Sequence, residues 1–91
     1  MSEHNDIIIV EHDSEVIQFI AHTLQNNTNI TSFKTSTECL NHLKTGPKVD
    51  VLFLSAQNAL TMDTVEWIRS DERYSHLPIL LMITQDQMRD E

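Results

Sequence analysis

Four short strand-like segments alternate with segments of helical periodicity along this 91-residue chain, and that alternation constrains the fold more than any other feature. The strand-like segments cover residues 7–10, 30–33, 51–54 and 79–83. Apolar strands without an inward–outward alternation are typical of parallel sheets that are buried on both faces by helices. We therefore predict a single α/β domain spanning residues 1–91, because a chain of this length forms one small domain.

Capping signals mark the predicted helices between these strands. Asp13 or Ser14 is placed to cap the first helix, and Thr35 with Glu38 forms a T-x-x-E capping box at the start of the second. The third helix is predicted to begin at Asp63, three residues before another glutamate. The elements then follow in the order β-α-β-α-β-α-β, as expected for parallel strands joined by helical crossovers.

The charge and cysteine content limit the classes of partner and compartment. Fourteen acidic and six basic residues give a net charge of -8, which disfavours binding to nucleic acid and to anionic membranes. Cys39 is the single cysteine, so it cannot form an internal disulfide, and its place in an amphipathic helix indicates a core residue. We expect a cytoplasmic protein that binds other proteins and needs no cofactor.

Polar residues follow three of the predicted strands where each strand ends. Residues 11–13, 55–56 and 84–85 occupy these positions. In open parallel sheets, ligands bind outside the carboxyl ends of the strands, so these segments predict one shared crevice. The segment VDVLFLS carries Ser55 at this point, where a strand of this kind commonly delivers a charged or nucleophilic group.

Three stretches of the chain resemble the receiver domain of two-component response regulators, the CheY-like superfamily. They are IIIVEHDSEVIQFIAHTL at 7–24, VDVLFLS at 49–55 and IRSDERYSHLPILLMIT at 68–84. The resemblance implies a three-layer parallel sheet of the flavodoxin or CheY-like type with strand order 2-1-3-4. It covers nearly all of this chain but about three quarters of a receiver. We therefore expect a domain without the fifth strand and the last helix, and the alternative is that this sequence is a fragment of a longer protein.

The resemblance also implies a phosphoacceptor pocket, from which this sequence departs at each position. Receivers accept a phosphoryl group on an aspartate, with Mg²⁺ held by two acidic residues after the first strand. A hydroxyl residue after the fourth strand contacts the phosphoryl oxygens. Here Glu11 and His12 fall on the acidic pair, and Ser55 falls on the phosphoacceptor. Ile83 falls on the hydroxyl position, with Thr84 one place late. Because Mg²⁺ prefers oxygen ligands, these substitutions imply a degenerate pocket without bound Mg²⁺ and a protein without enzymatic activity.

Three alternatives give this region a chemical role. Glu11 and Asp13, with the intervening imidazole, are weak candidates for metal ligands. A second alternative is a receiver whose phosphoacceptor is another carboxylate, Asp50 or Asp63. The least favoured is a small serine hydrolase in which His12 activates Ser55, since no G-x-S-x-G motif surrounds that serine.

The predicted fourth strand lies at the edge of the truncated sheet and lacks the charges and prolines that protect natural edges. Its residues form the predicted interface: Ile79, Leu80, Leu81, Met82 and Ile83. We therefore predict a phosphorylation-independent, receiver-like interaction module in signal transduction or regulation. It acts by binding a protein partner or by forming a homodimer through this strand.

Overall fold

The computed structural model describes residues 5–24, 28–56 and 61–83. Seven elements follow one another along the chain: β1 (Asn5–Val10), α1 (Ser14–Thr23), β2 (Thr28–Phe33), α2 (Ser36–Leu43), β3 (Val51–Ser55), α3 (Thr61–Ser70) and β4 (Ile79–Met82). This order confirms the alternation of strands and helices predicted from the sequence.

The four strands form one parallel sheet in the order β2-β1-β3-β4. β1 is central, with Val10 level with Phe33 of β2 on one side and with Leu54 of β3 on the other. β4 continues the sheet beyond β3, where Leu81 is the partner of Leu54. The predicted strand order is confirmed, and the carboxyl ends of all four strands lie at the same edge of the sheet.

The directions in which the chain crosses the sheet explain why helices cover both faces. The chain moves from β1 to β2 in one direction, then back across β1 to β3 and on to β4. Because β-α-β crossovers are right-handed, this reversal places α1 on one face and both α2 and α3 on the other. α2 and α3 contact each other. The result is the predicted three-layer α/β fold.

The hydrophobic core lies between the sheet and the layer formed by α2 and α3. Its buried members are Ile8, Val10, Cys39, Leu43, Leu52, Leu54, Ile68, Tyr74 and Leu77. Trp67 is half-buried against this cluster. On the opposite face, Ile7 and Ile9 are buried in the layer towards α1, although none of the α1 residues is fully buried.

Side chains and one glycine fix the ends of the first two helices. Asp13 caps α1 by accepting a hydrogen bond from the Glu15 amide at 2.9 Å. Thr35 Oγ1 accepts from the Glu38 amide at 3.2 Å, which confirms Thr35 as the N-cap of α2, while Glu38 Oε1 accepts from the Lys34 amide at 3.2 Å. After α2, Gly46 adopts a φ of 86°, a left-handed conformation that favours glycine.

The predicted start of α3 at Asp63 is wrong, because α3 begins at Thr61 and Asp63 lies within its first turn. A carboxylate in that turn still interacts favourably with the positive end of the helix dipole. The sequence pattern correctly placed Asp63 near the start of α3, but it did not distinguish a residue in the first turn from the N-cap residue. Helix boundaries inferred from local signals commonly differ by one or two residues at each end.

The connection between α3 and β4 is held against the rest of the domain by buried polar contacts. Tyr74 is 4% exposed, and its hydroxyl lies 2.8 Å from the Pro47 carbonyl oxygen and 3.2 Å from that of Leu43. Arg69 Nη1 donates to the Leu77 carbonyl oxygen at 2.7 Å. These contacts hold the segment that leads into β4 in place and thereby position the edge strand.

Candidate functional site

Glu11 and Ser55 lie at the same edge of the sheet, on adjacent strands. Glu11 directly follows Val10, whose partner is Leu54, so it stands level with Ser55 at the carboxyl ends of β1 and β3. Both residues are buried, with 3% and 2% of their surface exposed. The structure therefore brings together the two residues that the sequence places at the centre of the predicted crevice.

The Glu11 carboxylate is engaged in the turn that leads from β1 to α1. Its Oε2 atom accepts a hydrogen bond from the Asp13 amide at 3.1 Å and lies 3.5 Å from His12 Nδ1. The His12 side chain is 66% exposed. Asp13 is itself the N-cap of α1. The acidic turn thus has a structural role in starting the first helix.

Ser55 contributes its main chain to the start of α3. The Ser55 carbonyl oxygen accepts a hydrogen bond from Thr61 Oγ1 at 2.8 Å. Thr61 is 6% exposed, and Thr64, one turn further on, is fully buried. The sequence analysis missed these two threonines. The signal that could have found them is the pair of hydroxyl residues three apart, just after the loop that follows β3.

The donor set at this edge differs from one suited to Mg²⁺, which binds through carboxylate, carbonyl and water oxygens. His12 supplies an imidazole, and Ser55 supplies a hydroxyl where a second carboxylate would be needed. Within residues 5–24, 28–56 and 61–83, no three histidine, cysteine or acidic side chains are grouped so that they could hold a metal ion. These residues do not fit the Mg²⁺ site that the resemblance implies.

Comparison with known proteins identifies the fold. No family model matches the sequence, and no curated protein matches it. Among solved structures, the chemotaxis response regulator CheY4 of Vibrio cholerae is similar, with a TM-score of 0.76 and 20% identity over 86% of this chain. A sensor protein from Polaromonas sp. JS666 is similar with the same TM-score and 14% identity over 89% of this chain. The chain has the receiver fold.

The chain spans about two thirds of each of these proteins, 67% of the regulator and 66% of the sensor protein. At such low identity, the likeness establishes the receiver fold and the order of its strands. It does not assign the activities of those proteins to this chain. In the part of this chain that the structure describes, no helix is both long and apolar enough to cross a membrane.

The residue that the resemblance places on the receiver hydroxyl position is apolar and exposed. Ile83 directly follows β4 and is 55% exposed. Thr84, the neighbouring hydroxyl that the sequence analysis considered, lies outside the described residues, as do the other residues of the crevice at this strand end. Of the residues predicted to line the crevice, the structure therefore describes Glu11, His12, Asp13, Ser55 and Ala56.

The alternative phosphoacceptors lie away from Ser55 or at the protein surface. Asp50 precedes β3, at the amino end of the sheet, where its amide donates to the Asp6 carbonyl oxygen at 2.7 Å. Asp63 lies in the first turn of α3 and is exposed. Asp50 is thus at the end of the sheet opposite the predicted crevice.

Asp50 belongs to a charged cluster that the sequence analysis missed. Lys48 Nζ lies 3.1 Å from Asp6 Oδ2 and 3.0 Å from Asp50 Oδ2, and Asn29 Nδ2 donates to Asp6 Oδ1 at 3.2 Å. Hydrogen bonding to Lys48 lowers the pKa of Asp6, and the hydrogen bond from the Asp6 amide, followed by that from Lys48, lowers the pKa of Asp50. The cluster links the amino ends of β1, β2 and β3.

A shallow cavity of about 260 Å³ lies beside this cluster, between the amino ends of β1 and β2 and the region after α2. Asn29, His42 and Lys48 contribute to its lining. It is at the opposite end of the sheet from Glu11 and Ser55. The predicted crevice and this cavity are therefore two separate features of the molecule.

β4 presents apolar side chains on both faces of the sheet. Leu80 and Leu81 alternate along the strand and are 50% and 51% exposed, while Ile79 and Met82 are half-buried. With Ile83, these residues form a surface that we call the β4 edge. Apolar surface of this kind on both sides of an edge strand is typical of a protein interface.

Proposed function

We propose that this chain is a phosphorylation-independent, receiver-like interaction module that acts by protein contact in signal transduction or regulation. It binds through the β4 edge, and a second copy of the chain is the favoured partner. It works in the cytoplasm, without nucleic acid, membrane, metal or cofactor. Signal transmission in this account depends on association and carries no covalent phosphoryl switch.

The observation that carries the proposal is the environment of Ser55. This residue occupies the position of the receiver phosphoacceptor, but it is 2% exposed and has no carboxylate. A serine hydroxyl lacks the anionic oxygen that attacks the phosphoryl donor and also helps to hold the metal. Its carbonyl oxygen is bonded to Thr61, so the residue has a structural part in the start of α3.

The β4 edge supports the second half of the proposal, which concerns protein contact. Three of its side chains, Leu80, Leu81 and Ile83, are each at least half exposed and uncharged. Covering half-exposed aliphatic side chains of this size contributes about 1 kcal/mol each. Burial of these side chains contributes favourably to association, and backbone hydrogen bonds from an added strand would add to it.

The proposal predicts that a small-molecule phosphodonor leaves the protein unmodified. The purified chain is incubated with acetyl phosphate and Mg²⁺, and its intact mass is measured, with a receiver that retains its aspartate as the positive control. We expect the control to gain one phosphoryl group and this chain to gain none. A phosphoryl adduct on this chain would refute phosphorylation independence, and peptide mapping would then show whether Asp50, Asp63 or Ser55 carries it.

A further inference from the structure

The backbone hydrogen bonds between β3 and β4 determine which groups of β4 point away from the sheet. The Leu52 amide donates to the Pro78 carbonyl oxygen at 3.0 Å, and the Ala56 amide donates to that of Met82 at 2.9 Å. In a parallel pair, alternate residues direct their backbone groups to the same neighbour. The backbone groups of Leu80 and Met82 and the Pro78 carbonyl therefore point towards β3. The amides and carbonyls of the residues between them point away from β3, to the side of β4 on which none of the other described strands lies.

We propose that the β4 edge pairs antiparallel with β4 of a second copy, about a two-fold axis that passes beside Leu81. This inference rests on the proposed function and specifies its interface. In this register Leu81 pairs with Leu81 of the other copy, and Ile79 pairs with Ile83. These are the residues whose backbone groups point outwards, so each pair exchanges two hydrogen bonds.

The side chains of the two strands match in the same register. Leu80 of one copy stands opposite Met82 of the other on the face towards α1. On the other face, Leu81 meets its own symmetry mate, with Ile79 and Ile83 on either side. A shift of the axis along the strand would leave some of the five apolar residues without a partner. The odd number of outward-facing residues thus favours a two-fold axis at the central one.

The distribution of charge favours a second copy as the occupant. Each copy carries a net charge of -8, so two copies repel each other wherever their charged surfaces approach. The sequence from 74 to 85 contains no aspartate, glutamate, lysine or arginine. The β4 edge is central to this uncharged segment, so pairing there places no like-charged side chains opposite each other, and only the repulsion between the two chains as wholes remains. A basic partner would find complementary charge elsewhere on the chain and none on this strand.

The size of the contact predicts a weak, reversible dimer. Five residues a side take part in the strand pairing, compared with roughly 20–30 residues a side in interfaces of standard size. Main-chain hydrogen bonds and alternate apolar side chains carry the affinity, as in other cases of strand addition. The dimer is therefore expected to form in a concentration-dependent manner.

Disulfide crosslinking between two different cysteine variants tests this register. Leu80 and Met82 of opposite copies form a non-hydrogen-bonded pair, whose Cα atoms are about 4.5 Å apart in antiparallel sheets. That separation lies within the range that a disulfide bridges. Leu80→Cys and Met82→Cys chains are prepared separately, mixed, and oxidised with copper phenanthroline as the oxidant. Samples of each variant alone are oxidised in parallel.

We expect the mixture to yield several-fold more crosslinked dimer than either variant alone, because two Leu80 side chains of opposite copies are diagonal neighbours. The unsubstituted chain is the background control. Its Cys39 is fully buried, and burial raises the pKa of that thiol to about 12, so it stays protonated and unreactive.

Two negative outcomes are distinguishable when the solution mass is measured on the same samples. A dimeric mass with equal crosslinking in all three samples would overturn the two-fold register while leaving the proposed function standing. A monomeric mass at every concentration, with no crosslinking, would overturn both this inference and self-association as the function of the β4 edge.

Discussion

Leu54 and Leu81 are partners across the β3–β4 pair, yet Leu54 is fully buried and Leu81 is 51% exposed. Both side chains point to the face of the sheet that α2 and α3 cover. Leu54 lies under these helices, whereas Leu81 is one strand further out. On this face of the sheet, side-chain exposure thus rises from none to about half between adjacent strands, a distance of about 4.8 Å. This steep change is the physical basis for assigning the β4 edge as an interface.

The contacts of the Tyr74 hydroxyl predict a measurable loss of stability when it is removed. Tyr74→Phe keeps the ring but leaves the carbonyls of Leu43 and Pro47 without this donor. We expect the free energy of unfolding to fall by about 1–2 kcal/mol, as for other buried hydrogen bonds. Urea unfolding followed by the fluorescence of Trp67, the single tryptophan, measures this change.

Ser70→Ala is the matched control for that substitution. Ser70 Oγ donates to the Trp67 carbonyl oxygen at 2.7 Å, but this bond is exposed. Its loss is expected to change the free energy of unfolding by less than about 0.5 kcal/mol. Equal effects of the two substitutions would contradict a special role for the Tyr74 contacts.

The cluster of Asp6, Lys48 and Asp50 predicts a pH-dependent contribution to stability. The pKa values of both carboxyl groups are lowered in the folded state from their ordinary value of 3.8. A lowered pKa stabilises the fold above the ordinary value, and this contribution is lost as the pH falls through the folded pKa. In Lys48→Gln, we therefore expect a small destabilisation at neutral pH that diminishes as the pH approaches about 3.

The measurement is urea unfolding of the parent and of Lys48→Gln at a series of pH values, with Lys34→Gln as the control. Lys34 is exposed and takes part in none of the ion pairs between described residues. Its replacement therefore changes the net charge by the same amount as Lys48→Gln without breaking any of those ion pairs. If the difference in the free energy of unfolding between the parent and Lys48→Gln stays constant down to about pH 3, the stability contributed by the cluster does not depend on the protonation of its carboxylates.

The degenerate pocket predicts that carboxylates can restore metal binding at a cost in stability. The His12→Asp, Ser55→Asp double variant adds two carboxylates beside that of Glu11, so three acidic side chains converge at this strand end. Without Mg²⁺, we expect the variant to lose about 2–4 kcal/mol, because a charge is buried at residue 55 and like charges repel. Millimolar Mg²⁺ should recover part of this loss.

Thermal unfolding with and without Mg²⁺ measures this recovery, and the parent chain is the control. We expect the melting temperature of the parent to be insensitive to Mg²⁺. An equal rise in both proteins would mean that the parent already has a metal site, which would contradict the degenerate pocket.

The net charge of each copy predicts the direction of the salt dependence of dimer formation. Two chains of charge -8 repel each other, and added salt screens that repulsion. We expect the dissociation constant of the dimer to fall several-fold as the NaCl concentration rises from low to moderate ionic strength. Sedimentation at several salt concentrations measures it. Weakening with salt would indicate instead that ion pairs hold the copies together.

The strands were predictable from the sequence because they depend on local composition, whereas their order came from the resemblance to receiver domains. Residues 7–10 and 51–54 are apolar throughout, and such segments are typical of buried strands in parallel sheets. Buried Cys39 was also predictable, since it lies on the apolar side of a helical pattern.

The contacts that depend on tertiary register were not predictable. Lys48 and Asp6 are 42 positions apart, and only the alignment of β1 with β3 brings them together. Thr61 likewise bonds to Ser55 across a loop whose course the residue pattern does not specify. The start of α3 was misplaced for the same reason, because the local pattern favoured Asp63 as the cap.

The most direct test of the account is sedimentation equilibrium of the parent chain, Leu81→Lys and Phe19→Lys over a range of concentrations. Both substitutions replace an exposed apolar side chain and add the same charge, but Phe19 lies on α1, away from the β4 edge. We predict that the parent and Phe19→Lys rise from the single-chain mass of 10.5 kDa towards twice that value, while Leu81→Lys stays at it. A parent that is monomeric at every concentration, or a Leu81→Lys chain that associates as the parent does, would contradict the account.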